Sequence, residues 1–112
     1  MPTLQQQEEP IDQEIANALI EATPEWWMSA VMAIEFGAKP GGVEGYRHVI
    51  SSPEGHRDLV EPTERIYGAT IQLADLFRQH GRPWKSAKYT VKKHAEANWS
   101  YTVDFQYEDD LH

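Results

Sequence analysis

Cysteine is absent from this 112-residue sequence, which excludes disulfide scaffolds, Cys-ligated zinc, iron–sulfur clusters and thiol nucleophiles together. The fold must form without covalent cross-links. Long apolar runs are lacking as well. The longest apolar-leaning stretch, Trp26 to Phe36, is broken by Ser29 and Glu35, far short of the roughly 20 residues a membrane-spanning helix needs. Bases are scarce: ten Lys and Arg stand against 18 Asp and Glu, a formal charge of -8. Phosphate backbones reward Lys and Arg through counterion release, so this balance argues against nonspecific nucleic-acid binding and for a basic partner. The opening residues, MPTLQQQEEP, lack the basic start of a signal peptide. A cytoplasmic, soluble protein with neither membrane nor nucleic acid as partner is expected.

What is present suffices for one core. Hydrophobic residues make up 40% of the chain, with four Trp and five Tyr, enough apolar surface to offset chain entropy over a single domain's length. Charge is segregated. Residues 1–64 carry 12 acids and three bases, residues 65–96 seven bases and two acids, and residues 97–112 four acids and no base.

Residues 1–9, with three Gln followed by two Glu, show no period and read as a disordered tail. A single domain is expected over 10–112. Ile11, Ile15 and Leu19 recur at helical spacing behind Pro10, and Pro24 ends that helix near Thr23. The period then becomes two, with Met28, Ala30, Met32, Ile34 and Phe36 on one side of a strand. The turn-rich segment Gly37 to Gly42 separates it from a second strand, Val43 to Ile50, in which Tyr46, His48 and Ile50 share a side. Pro62 and Glu64 open the longest helix, whose stripe is Ile66, Ala69, Leu73, Leu76 and Phe77 and whose end is Gly81. Two strands close the chain, Lys85 to Lys93 and Trp99 to Tyr107, joined at His94 to Asn98. The order α-β-β-α-β-β implies an α+β fold: a four-stranded antiparallel sheet with both helices packed on one face. The other face, lined by Lys88, Thr90, Lys92, Ser100, Thr102, Asp104 and Gln106, stays open.

No catalytic constellation emerges. His94-Ala95-Glu96 has the His-x-Glu form of zinc deaminases but lacks the Cys pair that completes their site, and turn composition favours a loop. His48 on its strand reads as a half-buried, hydrogen-bonded residue rather than a general base. His56 and Asp58 read as a solvated loop pair. Gly41, Gly42 and Gly45 are turn residues, not part of a phosphate-binding loop. Trp84 is expected to staple a helix end to the sheet. Trp26 and Trp27 are adjacent, so at most one enters the core. No metal and no cofactor is expected. Glu108-Asp109-Asp110 forms an acidic run at a strand end, a solvated edge on the bland reading and a protein-binding patch on the sharper one.

Thr23-Pro24-Glu25-Trp26 after a helix, a long helix ending in Phe77, Gly81-Arg82-Pro83-Trp84, and the closing Phe105-Gln106-Tyr107-Glu108-Asp109 together resemble the YezG-like family of bacterial immunity proteins. The resemblance covers roughly residues 10–110 and implies an α+β protein without catalysis that neutralises a polymorphic toxin. The chain departs from that family in stopping after the last strand, where relatives continue into another helix, so a partner surface on that helix is not expected. The resulting expectation is an immunity protein, not an enzyme, that occludes a basic, nuclease-like cognate toxin. Asp104, Glu108, Asp109 and Asp110 would supply charge and Trp99 and Tyr107 the anchors. The alternative is a small enzyme or ligand-binding domain with His48 in a pocket between sheet and helix.

Overall fold

In the computed structural model, which describes residues 3–38, 44–82, 84–95 and 98–107, two helices and four strands follow the expected order. They are α1 (Leu4–Ala22), β1 (Ser29–Ala38), β2 (Glu44–Ser51), α2 (Glu64–Gln79), β3 (Trp84–Lys93) and β4 (Trp99–Tyr107). The turn expected at 37–42 falls mostly outside the described residues.

The first correction concerns the N-terminus. Residues 4–9, expected in a tail, belong to α1, and Pro10 lies inside the helix. The cause is a capping box. The Thr3 hydroxyl accepts from Gln6 N–H at 3.1 Å, and the Gln6 side chain accepts from Thr3 N–H at 3.0 Å, satisfying two donors that a helix start leaves orphaned. Pro10 withholds one ladder donor, and tertiary contacts offset that loss. Leu4 packs against the core, and the Gln7 amide oxygen lies 2.8 Å from His80 Nε2 beyond the end of α2.

α2 matches its expected stripe, with Ile66, Ala69, Leu73, Leu76 and Phe77 buried. Its end is a Schellman motif. Gly81 N–H donates to Arg78 C=O at 3.0 Å and Arg82 N–H to Phe77 C=O at 2.9 Å, with Gly81 at φ +70, the left-handed conformation that glycine adopts without a Cβ penalty.

The strands pair antiparallel in the order β2-β1-β3-β4. Both hairpins form as expected, and they join through β1 and β3, where Met32 faces Tyr89 and Ala33 faces Lys88. Ala30, Met32 and Ile34 on β1 and Ala87, Tyr89 and Val91 on β3 are buried beneath Ile15 and Leu19 of α1 and Ile66, Leu73 and Phe77 of α2. Both helices therefore cover one sheet face. An irregularity in register between Trp84 and Ser86 lets Trp84 turn inward as well as Ala87, three residues on, as a bulge permits. Met28, expected on the buried face of β1, precedes the strand and is 49% exposed.

Candidate functional site

β4 separates the residues expected to contact a toxin. Asp104 points to the open face, opposite Lys88. Trp99 and Tyr107 lie on the other face, half-buried against the core and at opposite ends of the strand. Side chains two apart share a face and neighbours do not, so this parity keeps the aromatics away from Asp104. Tyr107 is instead part of an aromatic cluster. Its ring centroid is 6.4 Å from Phe77 and 6.3 Å from Phe105, with the Arg82 guanidinium 4.9 Å above it. Trp84 joins at 6.0 Å from Phe105 and 5.6 Å from Tyr46, ring contacts with two strands rather than with the helix end that the sequence suggests. Glu108, Asp109 and Asp110 lie outside the described residues, as does Glu96 of the His94 segment. On the open face, Ala33, Glu35, Ser86, Lys88, Asp104 and Gln106 line a shallow groove of about 390 Å³ with mixed charge.

A second constellation is built where α1 meets β1. Thr23 closes the helix, its hydroxyl donating to Leu19 C=O at 2.7 Å. Trp27 N–H then donates to Pro24 C=O at 3.0 Å, making a β-turn. The turn sends two adjacent tryptophans to different fates: Trp27 is fully buried and Trp26 is 62% exposed. The loop between β2 and α2 returns to meet them. Asp58 Oδ2 accepts from both indole N–H groups, at 2.9 Å from Trp26 and 3.0 Å from Trp27. Glu54 accepts from Met28 N–H at 2.9 Å, and His56 stacks on Trp27 with centroids 5.8 Å apart and planes 11° from parallel. The indole donors, Trp27 first and Trp26 next, hold the Asp58 carboxyl below its ordinary range, because hydrogen bonds to the charged form favour it. Asp58 is exposed in its loop beside His56, as the sequence suggests, and it is in addition a two-way clamp on the indoles. The only sequence signal was the pair of tryptophans itself, since two adjacent indole donors need an acceptor when one of them is buried.

A buried polar group links α1 to the sheet. Asp12 accepts from the Tyr89 hydroxyl at 2.5 Å and is only 5% exposed. One helical turn earlier, Glu8 is pushed up to about 8 by burial first and then by its hydrogen bond with Asp12 and the Asp12 charge. Burial and the Asp12 charge also push the Tyr89 hydroxyl up. Tyr101 is raised by burial and then by Asp12, Glu9 and Glu8. Glu8, Glu9, Asp12 and Tyr101 border a cleft of about 500 Å³ with Thr3, Gln5 and Gln6. The hydrogen bond from the Tyr89 hydroxyl to Asp12 ties α1 to β3.

His48 braces β2 against α2. Its Nε2 lies 2.9 Å from Thr70 Oγ1, and that hydroxyl donates its single proton to Ile66 C=O at 2.8 Å. The hydroxyl must therefore accept from His48, which places the proton on Nε2. The Tyr67 ring meets the imidazole edge-on at 4.7 Å. His94 Nε2 lies 2.6 Å from Ser100 Oγ across the β3–β4 connection. Among the described residues, no three His, Asp or Glu side chains gather as metal ligands, and no helix is long and apolar enough to cross a membrane.

No protein-family model matches this chain, and no curated protein shows significant similarity to it.

Proposed function

We propose that this chain is an immunity protein that neutralises a basic, nuclease-like toxin domain by stoichiometric occlusion. The observation that supports this reading is the fate of the charges on folding. Arg65 is engaged by two carboxylates, Glu14 at 2.6 Å and Glu21 at 2.5 Å, and Arg78 by Asp75 at 3.1 Å. Glu9, Glu25, Glu35, Glu54, Glu61, Glu64 and Asp104 remain exposed. Arg47, Arg57, Arg82, Lys85, Lys88 and Lys92 are exposed as well, and the net charge of -8 that remains over both signs complements the Lys and Arg with which a nuclease grips phosphate. The resemblance in the Phe77, Gly81-Arg82-Pro83-Trp84 and Phe105-Gln106-Tyr107 segments adds to it.

Titrating the activity of a toxin encoded beside this gene gives the test. One equivalent should silence it, because occupancy is the mechanism. His48→Ala should leave that endpoint at one, since the histidine braces β2 and α2. Protection at a few hundredths of an equivalent, lost in a folded His48→Ala variant, would overturn the proposal in favour of catalysis.

A further inference from the structure

Trp26 leaves most of a large aromatic surface in water, although Trp27 beside it is fully buried. Its ring edge is tied down, because the indole N–H is held by Asp58 at 2.9 Å. A side chain restrained at its edge presents its face with less rotamer entropy left to lose on binding. Apolar surface flanks it: Met28 is 49% exposed and Leu59, next to Asp58, is 97% exposed. The surrounding charge is negative. Glu25 precedes Trp26, Glu54 holds the Met28 amide, and Asp58 and Glu61 follow in the same loop, four carboxylates against three bases, Arg57 in the loop and Lys92 and Lys93 at the end of β3, where Lys93 N–H donates to Met28 C=O at 2.8 Å.

We propose that this turn is the docking point of a basic protein partner, whose Lys or Arg side chain lies across the Trp26 ring while the carboxylates of Glu25, Glu54 and Asp58 balance its charge. The partner's sign rests on the immunity reading, whereas the place rests on the exposed ring and its clamp. Cation–π attraction and a flanking carboxylate act on the same cation, and exposed Trp surrounded by polar rim groups is the composition of an interface hot spot. The same carboxylates repel nucleic acid and anionic lipid, which selects protein among the ligands that an exposed Trp can take.

The probe is a fluorescein-labelled 15-residue peptide of Lys, Arg and Leu, with a Glu/Leu peptide of equal length as comparison, titrated at low salt and followed by anisotropy. The wild-type chain should prefer the basic peptide. Trp26→Ala should weaken that binding about tenfold, the scale of a truncated hot-spot aromatic. Trp26→Phe should weaken it less, because the ring face survives without the N–H. Circular dichroism verifies folding, and Trp26→Phe decides the outcome if Trp26→Ala does not fold. Unchanged affinity in the folded Trp26 variants together with a loss in Asp104→Asn would move the contact to the open sheet face. That result overturns this site and leaves the basic-partner reading standing. Equal affinity of the wild-type chain for both peptides would instead overturn the basic-partner reading, and the docking proposal with it.

Discussion

At the scale of single residues, identity alone says little about role, and Trp26 and Trp27 make the case. They are chemically identical and adjacent, but a β-turn puts one in the core and one on the surface. Trp27→Ala should cost about 3–5 kcal/mol, as large-to-small core changes do, while Trp26→Ala should cost less than about 1 kcal/mol; urea unfolding of the two variants provides the comparison. Asp58 follows from the same pair. Its carboxyl is held below the ordinary value of 3.8, and a depressed acid contributes stability that is present above that value and lost as pH falls through the folded one. Asp58→Asn should therefore unfold with less dependence on pH below 4 than the wild-type chain, as acid titration followed by fluorescence can measure. Four aromatic residues in the later segments that carry the family resemblance behave differently. Phe77, Trp84, Phe105 and Tyr107 are the aromatic cluster, so they report how the protein packs.

At the scale of elements, α1 is where local chemistry and long-range contact meet. Thr3→Ala removes the cap and should lower stability by about 1 kcal/mol, measurable as a shifted urea midpoint; a disordered tail would show no change. Glu8 gives α1 a pH response. Its folded value is raised from 4.5 to about 8, so its contribution to stability is complete below 4.5 and is lost as pH rises toward 8. Glu8→Gln should remove that slope and leave the variant about 1 kcal/mol more stable than the wild-type chain at pH 8, the shift being discounted for the screening of a half-exposed group. Parallel unfolding curves at pH 5, 6.5 and 8 would test this. Pro10 masks the start of the helix in the sequence, because proline usually marks a first turn. The Thr3-Leu4-Gln5-Gln6 signature was nevertheless legible as S/T-x-x-Q, the form of a capping box.

At the scale of the whole molecule, the β1–β3 pairing decides the architecture. It joins segments about sixty residues apart, from Ser29 opposite Lys92 to Glu35 opposite Ser86, and such non-local closure slows folding relative to helical domains. The hairpins flank it, which leaves β2 and β4 as edges. Net charge also acts at this scale. If a basic partner is steered by the surface carboxylates, raising salt from about 50 to 300 mM should slow association about tenfold with less effect on dissociation. Stopped-flow measurements with the Lys/Arg/Leu peptide would resolve the two rates.

Period and punctuation, read from the sequence, already determined the order of the elements and most of the inward faces, though neither the start of α1 nor the exposure of Met28. The two-residue period of Ala30, Met32 and Ile34 and of Trp99 to Tyr107, the helical stripe of Ile66 to Phe77 and the stop at Gly81 are local properties of the chain, set by backbone geometry and burial. They also determined that Trp99 and Asp104 cannot share a face, because five residues apart is odd parity in a strand. Tertiary structure decided what no window of sequence contains: the strand order, the Asp12–Tyr89 lock 77 residues apart in sequence, and the meeting of Trp26 and Trp27 with Asp58. Those contacts depend on how a loop returns after two strands, and a hydrogen bond between residues thirty apart leaves no periodic trace in the chain that makes it.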